Sequence, residues 1–234
     1  MASIYHMDAA YRSVYETHMK PQTAPRKRLS RTEQQAETRQ EILATAGALF
    51  ARVGFGGASL EAIASEAGYS KGAIYSNFES KEHLFLEVMK RYQKESLTSV
   101  MSIFDDDSSH DVIVDRLAAW ADNLAKNGIW AFLALEYARH VGADSDFGEL
   151  QTALIRDNWW AVGKRLRPMF NSEFPGDDEM LGALVFELTH APLSGIAASP
   201  TVGQLLRLTF NGLLAAYGVQ KKNGGSRKKF GKNP

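Results

Sequence analysis

Lys71, Gly72, Ala73, Tyr75, Ser76 and Asn77 fall in one short run, preceded by Ser70 and followed closely by Ser80 and Lys81. The run holds no nucleophile–base pair and no metal ligands, and its residue types suit recognition of a polyanion. On a short helix aimed into a major groove the N-terminal residues meet base edges, which places Lys71 to read sequence. Gly72 and Ala73 carry so little side chain that the backbone can approach the bases closely, with at most apolar contact to thymine methyl groups. Tyr75 and Asn77 suit hydrogen bonds to phosphates. Lys81, just past Ser80, would add its charge to the positive end of a following helix and clamp another phosphate. Contacts of that second kind fix register on the duplex and carry no sequence information.

Other chemistries find little support. The chain has no cysteine, which removes disulfides, thiolate zinc sites and a cysteine nucleophile together. Its histidines, at 6, 18, 83, 110, 140 and 190, form no close metal-binding pair, and no Gly-rich phosphate loop or nucleophile motif appears. His83 lies near Glu79, Glu82 and Glu87, a set that surface charge on a helix explains. The sequence therefore predicts no catalytic residue, no metal and no cofactor.

Helices must position the run. Apolar residues recur at three and four through almost the whole chain and nowhere alternate at period two, so the predicted class is all-α. Caps and breakers place helices at about 33–53, 60–67, 71–78, 81–103, 109–126, 128–141, 146–170, 177–198 and 201–218. In the first, Thr38 and Glu41 have capping-box spacing, and Ile42, Ala46, Leu49, Phe50 and Val53 line one face. Gly54 sits where a left-handed C-cap belongs. Ser59 caps a second helix with Leu60, Ile63, Ala64 and Ala67 inward, and Gly68 closes it. Ser70 caps a third, with Ile74 and Phe78 inward. Two short helices joined by one tight glycine turn make a helix-turn-helix.

From Thr38 to Phe85, and above all in Ala67-Gly68-Tyr69-Ser70-Lys71-Gly72-Ala73-Ile74-Tyr75-Ser76-Asn77-Phe78 followed by Lys81-Glu82-x-Leu84-Phe85, the chain resembles the DNA-binding head of the tetracycline-repressor family. The likeness covers about fifty residues. It departs from the family at Asn77, where histidine is frequent, and in a long N-terminal arm. The resemblance implies a bacterial, ligand-responsive transcriptional repressor. It would be a homodimer holding two recognition helices in successive major grooves of a partly palindromic operator, released when a small apolar or aromatic effector enters its helical body. A ligand-independent regulator or an activator would use the same head, because the sign of regulation depends on where the operator lies. The DNA-contacting set expected is Ser59, Tyr69, Ser70, Lys71, Gly72, Ala73, Tyr75, Ser76, Asn77 and Lys81, with Arg26, Lys27, Arg28 and Arg31 of the arm. The family's dimer is usually built from its last two helices, here about 177–198 and 201–218. Their Leu181, Leu184, Val185, Leu188, Leu205, Leu206, Leu208, Phe210, Leu213, Leu214 and Tyr217 supply apolar surface either for two faces or for packing within one subunit.

Composition frames this reading. The 234 residues are 44% hydrophobic and 23% charged, the balance of a globular protein with a real core. No apolar run is long enough for a membrane span and no secretory signal is evident, so the expected location is the cytoplasm, at the nucleoid. Net charge is zero, yet Arg26, Lys27, Arg28 and Arg31 crowd one end and Lys221, Lys222, Arg227, Lys228, Lys229 and Lys232 the other. Acidic residues such as Asp105-Asp106-Asp107 balance them from the middle. The expected division is a basic arm over 1–32, a helix-turn-helix domain over 33–80, a ligand-binding and dimerisation domain over 81–220 and a basic tail over 221–234. The arm is either a minor-groove contact or a solvated charge run, with Met7 and Met19 as alternative starts.

For the effector, Trp120, Trp130, Tyr137, Trp159 and Phe186 are candidate aromatic walls, with Glu136, His140, Asn158 and His190 as polar handles. Each is also explicable as core. Trp159 and Trp160 point roughly 100° apart on a helix, so at most one faces a given cavity. Glu136 interrupts an apolar run, and a salt bridge to Arg139 or Lys126 would explain it as well as a ligand would.

Overall fold

A computed structural model describes residues 30–126, 128–142, 145–190 and 199–219. Two compact units divide at Gln40 and Glu41. In the first, the described residues are Ser30 and the opening of helix α1 (Arg31–Gly57). Ser30 and Glu33 form a reciprocal box there: the Ser30 hydroxyl accepts from Glu33 N at 3.2 Å, and the Glu33 carboxylate accepts from Ser30 N at 2.7 Å. These hydrogen bonds hold the Glu33 carboxyl below the usual carboxylate range. The box expected at Thr38 and Glu41 is thus replaced by one two turns earlier, and those two residues lie inside the helix. Arg31 opens α1, while Arg26, Lys27 and Arg28 fall outside the described residues.

In the second unit α1 continues and is followed by α2 (Leu60–Ala67), α3 (Lys71–Asn77), α4 (Lys81–Met101), α5 (His110–Ala125), α6 (Ile129–Val141), α7 (Asp146–Leu166), α8 (Asp178–Thr189) and α9 (Val202–Tyr217). The fold is all-α. Among the described residues the extended pairing is one isolated bridge, between Phe170 and Gly218. Single 3-10 turns extend α4 over Ser102–Phe104 and α7 over Arg167–Met169. The second explains why α7 stops short of the expected residue 170: Pro168 has no N–H to continue the ladder. The segment 191–198, expected to complete α8, and the tail from 220 onward fall outside the described residues.

Two apolar cores hold the second unit. One gathers Ile42, Phe50, Phe55, Ile63, Ile74, Phe78, Leu84 and Phe85 from α1 to α4 with Trp130, Leu133 and Tyr137 from α6. The other gathers Val100, Leu117, Val162, Leu166, Leu181, Val185, Leu206 and Phe210 from α4, α5, α7, α8 and α9. Val53, expected on the inner face of α1, is instead exposed, one residue before the non-helical Gly54 at which α1 kinks. In the second core α7 lies against α8 at backbone distance: a Cβ on Gly163 or Gly182 would occupy the space of the Asp178 or Trp159 carbonyl. Leu181, Val185, Leu206 and Phe210 face inward, whereas Met180 and Leu208 are 63% and 74% exposed, so α8 and α9 each keep an outer apolar residue.

Candidate nucleic-acid interface

The short helices begin and end where side chains can replace missing backbone partners. Ser59 accepts from Ala62 N at 3.1 Å to start α2, and Gly68, at φ 75°, closes it by donating to Ala64 O and Ser65 O. Ser70 accepts from Ala73 N at 3.2 Å to start α3. Ser80 does the same for α4 through His83 N at 3.0 Å. Ile74 and Phe78, both almost fully buried, pin α3 into the first core. Lys71, Gly72, Tyr75 and Ser76 are thereby turned outward on the opposite side.

That outward face is already organised electrostatically. The Lys71 ammonium pairs with Glu61 of α2 and lies 5.7 Å from the centre of the Tyr75 ring. The hydrogen bond to Glu61 raises the lysine above its ordinary value and lowers the carboxyl below its own. Tyr75 is half exposed. Ser76 donates to Ala73 O at 2.9 Å. This surface offers a cation, a phenol and a hydroxyl on a helix with almost no side-chain bulk at Gly72 and Ala73, a shape that can seat in a major groove.

Five members of the expected DNA-contacting set have other engagements. The hydroxyls of Ser59 and Ser70 are spent on caps. Tyr69 is half-buried, and its phenol donates to Glu41. Lys81 donates to Phe55 O at 3.0 Å and Ala58 O at 3.1 Å, with its ammonium 4.2 Å from the Phe55 ring centre. Asn77 turns back to Ala73 O at 2.9 Å.

The nine expected effector residues divide into three places. Trp120, Phe186 and His190 meet on the second core, with ring centres 6.1 Å apart for the first pair and 5.6 Å for the second. Burial lowers the His190 imidazole below its ordinary value, and its Nδ1 lies 2.9 Å from Phe186 O. Asn158 and Trp159 are half-buried on α7, with Trp159 packed on the same core. Trp130, Glu136, Tyr137 and His140 lie along α6 against α1 and α4: Trp130 stacks on Tyr92 at 4.8 Å and Tyr137 on Phe85 at 4.6 Å. Glu136 accepts from Phe55 N at 2.9 Å and Gly56 N at 2.7 Å, in place of the expected arginine or lysine. His140 Nε2 stands 3.1 Å from Glu82, and the Tyr137 phenol donates to Glu82 O at 3.3 Å. Burial pushes the Glu82 carboxyl up, but hydrogen bonds from its own backbone N–H, from His140 and from Ser80 outweigh it and leave the group below the usual range.

Sequence reasoning missed two features of the second unit. An open groove of about 790 Å³ is lined by Met101, Phe104, Ile113, Trp160, Lys164 and Met169, among others. Trp160, the neighbour of the tryptophan expected to line a cavity, is the one that faces it. Gln93 Oε1 and Ser96 Oγ on α4 are buried with no hydrogen-bond partner, and helical spacing alone gave no signal for that. Among the described residues no three His, Asp or Glu side chains converge as a metal site, and no helix is long and apolar enough to cross a membrane.

Comparison with known proteins agrees with the geometry. Residues 42–88 match the profile of bacterial regulatory proteins of the tetR family. YerO of Bacillus subtilis, a helix-turn-helix-type transcriptional regulator, is 40% identical over 70 residues, which is 30% of this chain and 24% of that protein. The matched stretch thus spans about a quarter of the relative's length. Among solved structures, GusR of Salmonella enterica superposes with a TM-score of 0.61 at 22% identity, covering 81% of this chain and 100% of the other. The transcriptional regulator FadR of Bacillus subtilis, solved in complex with stearoyl-CoA, superposes with a TM-score of 0.60 at 14% identity, covering 75% and 97%. At these identities the structural likeness establishes the fold.

Proposed function

We infer that this chain, whose residues 42–88 match the tetR family of bacterial regulatory proteins, is a transcriptional regulator with a helix-turn-helix DNA-binding head, and that it acts as a dimeric repressor released from a palindromic operator by a small effector. The observation that carries the reading is α3: its inner side is fixed by Ile74 and Phe78, while Lys71, Gly72, Tyr75 and Ser76 stand outward. Lys71 would exchange its exposed Glu61 partner for a base edge or phosphate at little cost, because an ion pair at the surface is screened by water and salt. Tyr75 and Ser76 would bond the backbone of the duplex. Lys81 and Asn77 would act chiefly by shaping the surface, since their polar atoms already serve the protein.

Two such heads require a dimer. Leu208, with exposed Gly212, Ala215 and Ala216 at helical spacing along α9, offers an apolar stripe for a second copy, and α8 adds the exposed Met180. This assigns residues 33–80 to DNA binding, 81–220 to effector binding and dimerisation, and the cytoplasm as the site of action. For the effector, the cluster of Trp120, Phe186 and His190 supports an apolar or flat molecule. FadR, with its stearoyl-CoA, is a relative of this fold that holds such a compound. Release requires that the effector bind the DNA-incompetent arrangement more tightly, and a coupling of roughly 1–3 kcal/mol changes operator affinity about 5- to 150-fold.

The test is to map binding of the purified protein across genomic fragments at fixed salt and then to compare Lys71→Ala and Tyr75→Ala on the best fragment. A palindromic site weakened by both is the expected result. Absence of any specific site with folded dimeric protein would overturn the reading.

A further inference from the structure

Within its printed bounds α1 is kinked at Gly54, and the segment from that kink to Ser59, the link into α2, is held from two sides. At Gly54 (φ 79°, ψ 170°) the chain leaves helical geometry, which turns the N–H groups of Phe55 and Gly56 onto one carboxylate, that of Glu136 in α6, at 2.9 and 2.7 Å. The carbonyls of the same link, Phe55 O and Ala58 O, accept from Lys81 at the start of α4. The Phe55 ring is buried between Phe50, Phe85 and Tyr137, at 6.0, 5.0 and 5.4 Å. Ser59 follows at once and caps α2. No slack separates the tethered link from the helix-turn-helix, so the pose of α2 and α3 is set where the link is held.

The local sequence is built for the carboxylate. A Cβ at Gly54 would lie 3.1 Å from Glu136 Oε2, and one at Gly56 would lie 3.0 Å from Oε1, so Gly-Phe-Gly leaves only the room the carboxylate needs. The positive φ at Gly54 adds a second reason for glycine there. Glu136 is itself exposed. Its neighbours Tyr137 and His140 reach Glu82, so one end of α6 grips both the link and the first turn of α4.

We propose that Glu136 is a positioning residue for DNA binding, holding α2 and α3 at a fixed pose on α4 and α6 and thereby restricting the operator half-site spacing the protein accepts. This rests on the dimeric-operator reading above. Two hydrogen bonds to one charged acceptor are stronger and more directional than neutral ones, and both act on backbone that moves as a piece with α2. Replacing the acid by its amide keeps size and shape, yet one of the two N–H groups then meets an NH2 and loses its acceptor.

The experiment starts from the duplex that wild-type protein selects out of a random pool, remade with one base pair added or removed at its centre. Wild type should discriminate strongly among the three duplexes. Glu136→Gln should bind the selected duplex with modest loss while its discrimination falls about tenfold, the scale of one charge-assisted hydrogen bond. The amide protons of Phe55 and Gly56 should exchange faster with solvent. Gly56→Ala, which crowds the same carboxylate from the opposite side, should act in the same direction and serves if the first variant folds poorly. Equal weakening on all three duplexes, with discrimination kept, would mean a merely structural role and overturn the proposal. A wild type that binds specifically yet ignores spacing would remove the dimeric-operator reading and this proposal with it.

Discussion

The outer face of α3 and the last turns of α6 contain similar residue types at similar helical spacing, yet the fold spends them differently. On α3, Lys71, Tyr75 and Ser76 stand outward while Ile74 and Phe78 do the packing. On α6, Glu136, Tyr137 and His140 are committed to Phe55, Gly56, Glu82 and Phe85. A polar or aromatic residue at helical spacing is therefore a ligand contact or a structural brace according to what faces it, and its type does not decide which.

The largest expected effect lies on the α6 side of this comparison. Phe85 is fully buried against Phe50, Phe55 and Tyr137, so Phe85→Ala should cost about 3–5 kcal/mol in urea unfolding. A loss below about 1 kcal/mol would show that α6 does not share a tight core with the head.

On the α3 side stability and binding should separate. Tyr75→Ala and Lys71→Ala should change unfolding free energy by no more than about 0.5 kcal/mol. Each should weaken operator binding by about 1–3 kcal/mol if it contacts bases; if Lys71 contacts a phosphate instead, Lys71→Ala should lower the salt slope by about 1, whereas loss of the uncharged Tyr75 should leave the slope unchanged. Loss of stability without loss of binding in either variant would break the contrast.

Ser70→Ala tests the support beneath that face. Removing the hydroxyl that caps Ala73 N should cost about 1 kcal/mol and weaken DNA binding through disorder of the first turn of α3. Hydrogen exchange at Ala73 against exchange in α4 would read it locally.

The smallest effect concerns His190. Burial lowers its folded pKa beneath the ordinary 6.5, so the unfolded chain binds more protons in the interval between the two values. Stability should therefore fall as pH drops below 6.5 and level off beneath the folded pKa. His190→Gln should flatten that part of a stability–pH curve, and an unchanged slope would show that His190 does not titrate with folding.

Much of the head was legible in the sequence because its determinants are local. Ser59, Ser70 and Ser80 cap the helices predicted for them, and Gly68 is the left-handed cap its position suggested, whereas Gly54 has a positive φ with an extended ψ and kinks α1. The start of α1, expected near 33, lies at Arg31, but its capping box was misplaced because Ser30-x-x-Glu33 and Thr38-x-x-Glu41 carry the same box spacing, and helix propensity through both does not choose between them. Glu136 was legible only as an oddity in an apolar run: its acceptor role depends on residues about eighty positions earlier in the chain.

The sequence by itself determined the all-α class, the order of the helices and the two short helices with a glycine turn, since capping, periodicity and left-handed glycine act within a few residues. Tertiary structure alone decided that Lys81 serves backbone carbonyls, that Glu136 holds the α1–α2 link, that Trp160 rather than Trp159 faces the open groove, and that Gln93 Oε1 and Ser96 Oγ lack partners. Those outcomes depend on which groups distant parts of the chain bring within 3 Å or so of one another, and the strength of a charge or hydrogen bond depends on that neighbour and on access to water.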